Sequence, residues 1–264
     1  MLTKLRNLFG PKAPARLPAI PHGERVYAIG DIHGRLDLFE ELIRHIEADD
    51  AARRPVRTTV ILLGDLVDRG PDSAGVIARA REWGTQRRVT YIMGNHEEMF
   101  IASLNKVDAL RGFLKFGGRE TILSYGIDAQ TLADADYETL QQLMRDHVPD
   151  ADIAFLDGFD KLVRIGDYVF VHAGIRPEAP LELQLSHDCR WIREPFLSHA
   201  GEFPGFVIHG HTVTDDPDVR HNRTGIDTGA FMSGKLTAIG LEGTERWFLQ
   251  AETQPDGALS TVAA

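Results

Sequence analysis

The sequence of 264 residues predicts an α/β fold built from mixed β-sheets and covering helices. Five short apolar runs, rich in β-branched residues, end abruptly in clusters of Gly, Asp, Asn or His, as buried strands do at the edge of a sheet. Apolar residues at helical spacing separate the early runs, which is typical of α/β layering. Near the C-terminus, two more strand-like runs flank a short polar turn and predict an antiparallel hairpin.

The predicted strands follow one another along the chain. They occupy residues 26–29, 60–63, 90–93, 168–171 and 206–208, and the hairpin occupies residues 236–241 and 245–249. Amphipathic helices are predicted within residues 36–46 and 73–83, where apolar side chains recur at helical spacing. One mixed sheet, or two sheets packed face to face with outer helices, accommodates both kinds of strand.

The chain is predicted to form one globular domain, residues 23–252, between a flexible basic lead-in, residues 1–22, and a flexible tail, residues 253–264. Within the domain, residues 101–161 lack the repeated strand-and-loop unit, and we interpret them as a helical insert that covers one side of the functional site. Helices are predicted near residues 110–124 and 137–146, and a loop around Pro149. The pair Gly117-Gly118 either approaches the site closely or breaks a helix.

The composition excludes several classes of function. The 39 acidic and 29 basic residues give a formal net charge of −10, which argues against a nucleic-acid partner. No apolar run reaches the roughly 20 residues that cross a bilayer. Because charges and prolines interrupt residues 1–20, we do not expect a secretory signal there. A surface-binding helix within residues 2–9 is the alternative to a loosely held lead-in. The single cysteine, Cys189, excludes internal disulfides and a cysteine-rich metal site, and we expect a cytoplasmic protein.

Polar clusters that follow neighbouring strands converge in an α/β fold, because ligands bind outside the carboxyl ends of the strands. The clusters supply Asp31, His33, Asp65, Asn95, His96, His172 and His211. Mixed nitrogen and oxygen ligands suit Mn²⁺, Fe or Zn²⁺, whereas Mg²⁺ and Ca²⁺ prefer oxygen alone. So many groups exceed the needs of one ion. They therefore predict two ions that share a carboxylate.

The order of these blocks adds a family resemblance. Gly-Asp-Ile-His-Gly, Gly-Asp-Leu-Val-Asp-Arg-Gly, Gly-Asn-His-Glu, His-Ala-Gly and Gly-His-Thr together resemble the calcineurin-like metallophosphoesterases. Within that family the chain is similar to the phosphoprotein phosphatases, especially small bacterial and phage lambda-type serine/threonine phosphatases. The resemblance covers residues 26 to about 241. It implies a four-layer αββα fold, in which helices flank two face-to-face mixed sheets.

The resemblance also implies a metal-binding role for most of the polar residues. The first ion would bind Asp31, His33 and Asp65. The second ion would bind Asp65, Asn95, His172 and His211, so that Asp65 bridges the two. The implied cofactors are two divalent ions, Mn²⁺ first, with Fe or Zn²⁺ as alternatives. His209 does not match a ligand position, and we expect a structural role or a contact with a ligand.

The remaining implied roles concern catalysis. His96 would protonate the leaving alcohol and Asp68 would hold its ring charged. Arg69 would bind the substrate phosphate, and Arg193 would be a second phosphate clamp unless it pairs with an acid such as Glu194.

Glu97 has two interpretations. We favour that it begins the helix after Asn95, where an acid suits the helix dipole. The alternative is that it orients His96 or a ligand.

The predicted function is removal of phosphate from phosphoserine and phosphothreonine in proteins, by in-line attack of a metal-bridging hydroxide. The first alternative is a bis(5'-nucleosyl)-tetraphosphatase, from a related branch with the same metal core. The second is an inactive relative that binds phosphorylated partners. The complete Val-Asp-Arg-Gly block and Glu97 favour the first function. Phosphotyrosine, a small metabolite and the oligomeric state are left open by the sequence.

Overall fold

Two mixed β-sheets pack face to face in the computed structural model, which describes residues 17–254 and 257–263. Helices cover the outer face of the first sheet, and a short helix with its neighbouring loops covers the outer face of the second. The predicted α/β class and the four-layer arrangement are therefore confirmed.

The first sheet contains the N-terminal strands and the C-terminal hairpin. Its strands are β1 (Glu24–Ile29), β2 (Arg57–Leu62), β3 (Val89–Tyr91), β9 (Lys235–Glu242), β10 (Glu245–Thr253) and β11 (Leu259–Ala263). Among the described residues they lie in the order β11-β10-β9-β1-β2-β3. Strands β1, β2 and β3 are parallel, whereas β9 runs antiparallel to both β1 and β10. The predicted hairpin is thus present and joins the parallel strands on one side.

The second sheet is built from the later part of the chain. Its strands are β4 (Leu162–Ile165), β5 (Tyr168–Val171), β6 (Phe206–His209), β7 (Asp218–Val219) and β8 (Arg223–Gly225). The order is β4-β5-β6-β8-β7 within the described chain, with β5, β6 and β8 parallel and the two edge strands antiparallel. Parallel strands in both sheets bring their carboxyl ends, and the polar loops that follow, to one side of the molecule.

The helices lie mainly on the first sheet and in the predicted insert. They are α1 (Leu36–Ala52), α2 (Ser73–Gln86), α3 (Asn95–Ser103), α4 (Val107–Lys115), α5 (Gly118–Ser124), α6 (Ala129–Asp134), α7 (Tyr137–His147), α8 (Asp150–Asp157), α9 (Ser186–Trp191) and α10 (Ala230–Ser233). The predicted loop around Pro149 is limited to Val148 and Pro149, because α8 starts directly after this proline and includes the acids that follow it. Proline costs no hydrogen bond at a helix start, and Asp150 and Asp152 favour the helix N-terminus electrostatically.

Side chains that point alternately to opposite faces of the central strands explain why each sheet has an apolar core on both faces. In β5, Tyr168 and Phe170 pack between the two sheets, whereas Val169 and Val171 pack on the outer face with Phe196. Side chains of a strand point alternately to opposite faces, so a continuous apolar run can serve two cores at once. The apolar runs that predicted the strands therefore reflect burial on both faces.

The ends of the chain extend the first sheet. Of the predicted lead-in, residues 1–16 lie outside the described residues, while Ile20 is buried and its N–H donates to the carbonyl of Gly243 at 2.8 Å. The segment expected to be a flexible tail includes β11, which pairs antiparallel with β10; without β11, β10 would be the edge strand of the sheet. The unpaired backbone groups of an edge strand provide the reason for this addition. No helix within the described ranges combines the length and the apolar character needed to cross a membrane.

Removal of a large side chain between the sheets tests this packing. Phe170 is fully buried there, so Phe170→Ala should lower the free energy of unfolding by about 3–5 kcal/mol through lost apolar contact and a residual cavity. Leu183→Ala is the control, because Leu183 is 69% exposed and its truncation should change stability by less than about 0.5 kcal/mol. Urea unfolding of both variants measures the difference, and equal effects would contradict the two-sheet core.

Candidate metal and phosphate site

The polar loops of both sheets meet at one buried site. Strands β1, β2 and β3 of the first sheet and β5 and β6 of the second each end in one of the predicted clusters. None of the seven polar residues exceeds 8% exposure: Asp31, His33, Asp65, Asn95, His96, His172 and His211. The structure thus brings together side chains that are separated by up to 180 positions in the sequence.

The backbone around the site is unusual. Five non-glycine residues have positive φ in the part of the chain that the structure describes, and all were predicted site residues: His33, Asp65, Asp68, Arg69 and His211, with φ between 47° and 74°. Such conformations cost about 1–3 kcal/mol each and persist only where surrounding contacts enforce them. The loops are therefore held in shapes that their own preferences do not favour.

Glu97 holds one of these loops. Its buried carboxylate accepts hydrogen bonds from the N–H groups of Asp65 (2.9 Å), Leu66 (2.7 Å) and Gly94 (3.0 Å). Glu97 does lie in the first turn of α3, as we favoured, but the alternative interpretation describes its main contacts. Gly94 is needed here because a Cβ atom would lie 2.2 Å from Oδ1 of Asp65.

Asp65 lies between two groups of potential ligands. Its carboxylate oxygens are 3.6 Å from Nε2 of His33, 3.9 Å from Nε2 of His96 and 3.4 Å from Nε2 of His172. Two three-residue groups have ligand atoms within 4.8 Å of one another. One contains His33, Asp65 and His96, and the other contains Asp65, His172 and His211. Asp65 is common to both.

An amide oxygen lies beside the second group, at hydrogen-bond distance from two of its imidazole nitrogens. Oδ1 of Asn95 is 2.9 Å from Nε2 of His172 and 2.9 Å from Nδ1 of His211, and the two nitrogens are 3.2 Å apart. Nε2 of His172 is an acceptor if Nδ1–H donates to the carbonyl of Leu63 (2.8 Å). Nε2 of His211 is buried and finds no partner among the described residues. Converging acceptors of this kind fit a cation.

Burial favours the neutral form of three histidines in the two ligand groups, His33, His172 and His211. It lowers the pKa of His33 and His172, and it lowers that of His211 to about 3. In His33, Nδ1–H donates to the carbonyl of Val67 at 2.8 Å and directs Nε2 into the site. A metal ion requires neutral imidazole, and such backbone contacts select the nitrogen that faces the ion.

Carboxyl groups crowd the same space. Burial, together with the neighbouring charges of Asp227 and Asp65, raises the pKa of Asp31. Burial also raises the pKa of Asp227 to about 6 and that of Glu97 to about 7. Buried like charges are unfavourable unless a cation offsets them. The converging nitrogen and oxygen ligand atoms, and the excess of carboxyl groups around them, therefore both fit divalent cations.

Asp31 lies at the site but outside both three-residue groups. Its two carboxylate oxygens accept from the backbone N–H of His211, at 3.2 Å and 3.1 Å. The group around His33 contains His96 in the place that we expected for Asp31. The neighbouring Asp227 contacts Asp31 and is only 2% exposed.

His96 and Asp68 form a buried pair. Nδ1 of His96 lies 2.6 Å from Oδ2 of Asp68, and neither side chain exceeds 1% exposure. Burial opposes the charged ring, but Asp65 and Asp68 outweigh it and raise the pKa of His96. Nε2 is the atom left to face the site, 2.9 Å from Nη2 of Arg69, from which it can accept only while the ring is neutral. The pair can therefore hold a proton at the site.

Two arginines border the opening. Arg69 and Arg193 line a cavity of about 380 Å³, whose other lining residues are Asp65, Asn95, His96, Phe116, Trp191, His211, Thr212 and Val213. Arg69 also donates to Nε2 of His33 at 2.8 Å, and Arg193 donates to the carbonyl of His211 at 3.3 Å. The predicted phosphate-binding residues thus lie at one cavity, beside the metal-type donors.

Sequence motifs did not reveal several contacts that shape the site. Thr121 of the insert contacts Asp68, and Glu98 accepts from Arg190 (2.9 Å) and from the indole of Trp191 (2.7 Å). Both depend on the way distant segments pack, for which the local sequence carries no signal.

Of the two interpretations of Gly117, the close approach to the site describes its contact. Its carbonyl accepts from the N–H of Arg69 at 3.0 Å.

Two residues lie away from the site chemistry. His209 contacts Arg223 (3.2 Å) and the carbonyl of Gly210, and it belongs to neither ligand group. Cys189 is buried, and burial raises the pKa of its thiol to about 11, so it offers no thiolate near neutral pH.

Comparison with known proteins adds independent findings. A family model described as calcineurin-like phosphoesterase matches residues 24–231. The asymmetrical bis(5'-nucleosyl)-tetraphosphatase PrpE of Anoxybacillus flavithermus is 28% identical over 237 residues, which cover 80% of this chain and 88% of that protein. Serine/threonine-protein phosphatase 1 of Salmonella typhimurium is 28% identical over 218 residues, with 80% and 89% coverage.

Solved structures share the fold. One that is provisionally assigned as a diadenosine tetraphosphatase has a TM-score of 0.60 at 20% identity, and the match covers 94% of this chain and 99% of that one. The two face-to-face sheets with flanking helices are thus an architecture that other proteins also adopt.

Substitution of the shared carboxylate tests the site. Asp65→Asn removes the charge common to both ligand groups, so binding of Mn²⁺ should weaken more than about 10-fold at both positions. Titration calorimetry with Mn²⁺ measures this change. Asp108→Asn is the control, because the Asp108 side chain is 96% exposed on the insert and should leave metal binding unchanged. Two tightly bound ions per chain in Asp65→Asn would contradict the shared position of Asp65.

Proposed function

The chain belongs to the calcineurin-like phosphoesterases, which are metal-dependent hydrolases, and we propose that it removes phosphate from phosphoserine and phosphothreonine in proteins. One observation carries the proposal: a carboxylate shared by two ligand groups lies beside a buried histidine–aspartate pair and an arginine-lined cavity. Each part supplies a different requirement of phosphate ester hydrolysis.

The proposed metal ligands are residues whose nitrogen and oxygen atoms lie at the site around Asp65. The first ion would be held by Asp31, His33 and Asp65. The second would be held by Asp65, Asn95, His172 and His211. When bound, two divalent ions lower the pKa of a shared water, so that hydroxide is available near neutral pH. Mixed nitrogen and oxygen donors make Mn²⁺ our first choice, with Fe or Zn²⁺ as alternatives.

His96 is the proposed proton donor to the leaving oxygen. Asp68 contacts Nδ1 and, with Asp65, raises the pKa of the ring, so the imidazolium that must give up a proton is favoured. The alkoxide of serine is a far poorer leaving group than a nucleotide phosphate and gains more from protonation. A fully buried acid pair therefore supports an ester of an alcohol as the substrate.

Arg69 and Arg193 would bind the phosphoryl oxygens. Both guanidinium groups line the cavity that also contains Asp65, Asn95 and His96. Planar guanidinium groups suit the oxygens of phosphate, and their charge stabilises the transferring group. The contacts of Arg69 with His33 and His96 place it within reach of both sides of the site.

A bis(5'-nucleosyl) tetraphosphate is the second candidate substrate. The Anoxybacillus relative carries that name, whereas the Salmonella relative supports the phosphoprotein substrate. The cavity also presents the rings of Phe116 and Trp191, and Phe116 is 47% exposed. Aromatic faces of this kind suit a nucleobase. A direct comparison of the two substrates is therefore required.

Parallel kinetics with both substrates test the proposed function. Phosphoserine and phosphothreonine peptides and diadenosine tetraphosphate are offered to the protein loaded with Mn²⁺, Fe²⁺ or Zn²⁺. We expect higher kcat/KM for the peptides. Preference for the dinucleotide would reverse the order of the two candidates. Absence of turnover with every metal would support a protein that only binds phosphorylated partners.

Replacement of the proton donor makes a sharper prediction. His96→Asn should leave the content of bound metal intact and should lower kcat by about 10²-fold or more for phenyl phosphate, because general acid catalysis contributes that much. The loss should be much smaller for 4-nitrophenyl phosphate, whose leaving group needs little protonation. Metal analysis and kcat values with both esters provide the measurement. Loss of metal would identify His96 as a ligand instead.

A further inference from the structure

Thr121 lies in helix α5 of the insert, outside every sequence block of the family resemblance, yet it is fully buried against the acid pair. We infer that Thr121 is a positioning residue for His96, acting through Asp68. The inference rests on the proposed role of His96 as proton donor. It assigns to the insert a part in catalysis in addition to covering the site.

Two hydrogen bonds tie Thr121 to Asp68. The hydroxyl of Thr121 donates to Oδ1 of Asp68 at 2.6 Å, and the backbone N–H of Asp68 donates to Oγ1 of Thr121 at 2.9 Å. The other carboxylate oxygen, Oδ2, lies 2.6 Å from Nδ1 of His96. Thr121 and His96 therefore occupy opposite oxygens of one carboxylate and together determine its plane.

The direction of the threonine proton follows from its neighbours. Ionised Asp68 can only accept, so the hydroxyl proton of Thr121 points to Oδ1. Oγ1 must then accept from the hydroxyl of Ser73, 2.9 Å away, as well as from the N–H of Asp68. All three side chains are completely buried, so no solvent can replace a lost partner.

The backbone explains why an external anchor is needed. Asp68 has φ of 74° and the following Arg69 has φ of 69°, conformations that side chains other than glycine rarely adopt. The insert contacts both residues, since Thr121 binds Asp68 and the carbonyl of Gly117 accepts from the N–H of Arg69 at 3.0 Å. Docking of the insert thus places the acid pair and the phosphate-binding loop together.

Loss of the hydroxyl should affect proton transfer more than binding. Thr121→Val has nearly the same shape but leaves Oδ1 of Asp68 without its buried donor. The carboxylate can then turn, and the ring of His96 loses its fixed direction. The transition state with a poor leaving group suffers most, because it depends on protonation. Substrate binding should change little, because Thr121 does not line the cavity.

The test compares Thr121→Val, Thr121→Ser and the wild type in the Mn²⁺-loaded enzyme. With phenyl phosphate, kcat of Thr121→Val should fall about 10-fold, whereas KM, Mn²⁺ content and kcat for 4-nitrophenyl phosphate should change less than about 2-fold. Thr121→Ser keeps the hydroxyl and should restore kcat.

Ser103→Ala is the matched control. It deletes a buried hydroxyl that donates to the carbonyl of Phe100 and should change kcat with neither ester. If the valine variant does not fold, Thr121→Ala removes the same hydroxyl without placing a methyl group beside Asp68.

A double-mutant cycle with His96→Asn completes the test. If Thr121 acts through His96, Thr121→Val should have no further effect on kcat in the His96→Asn background. Additive losses, equal losses with both esters, or failure of serine to restore kcat would overturn the inference while leaving His96 as the acid. If His96→Asn itself shows no preference between the esters, the assignment of the acid fails, and the inference fails with it.

Discussion

The shared position of the Asp65 carboxylate is the constraint on which the site depends. Residues from both sheets approach it, so the sheets must pack face to face with their parallel strands ending at the same side. Burial and neighbouring carboxylates raise the pKa of Asp31 and Asp227, so the ionised forms of these groups are unfavourable unless cations offset their charge. The fold therefore provides a rigid frame for an arrangement that is unfavourable by itself.

Rigid support is most evident in the loops. Positive φ at five site residues stores strain that Glu97 and the helical insert offset by hydrogen bonds to backbone and side chains. Glu97 holds the part of the β2–α2 loop that carries Asp65, and Thr121 holds Asp68 in the same loop. Two separate helices, α3 and α5, thus position the metal-type donors and the acid pair. Side chains held in this way need little reorganisation during the reaction.

Much of this arrangement could be predicted from sequence because it is local. Apolar runs followed by polar clusters predicted the strands and the convergence of the site, since strand burial and loop position depend on neighbouring residues. Contacts between distant segments left no such pattern. Thr121 is an ordinary helical residue until the insert docks, and Glu97 satisfies helix-start preferences whether or not it also binds the loop. The strand β11 arises from pairing with an exposed edge and has no strong apolar signal.

Anomalous diffraction from crystals of the Mn²⁺-loaded protein tests the central claim most directly, because it locates the ions without reference to activity. We expect two peaks in each chain, both in contact with the carboxylate of Asp65. One peak should lie toward His33, and the other toward Asn95 and His172. A single peak, or two peaks that Asp65 does not touch, would contradict it.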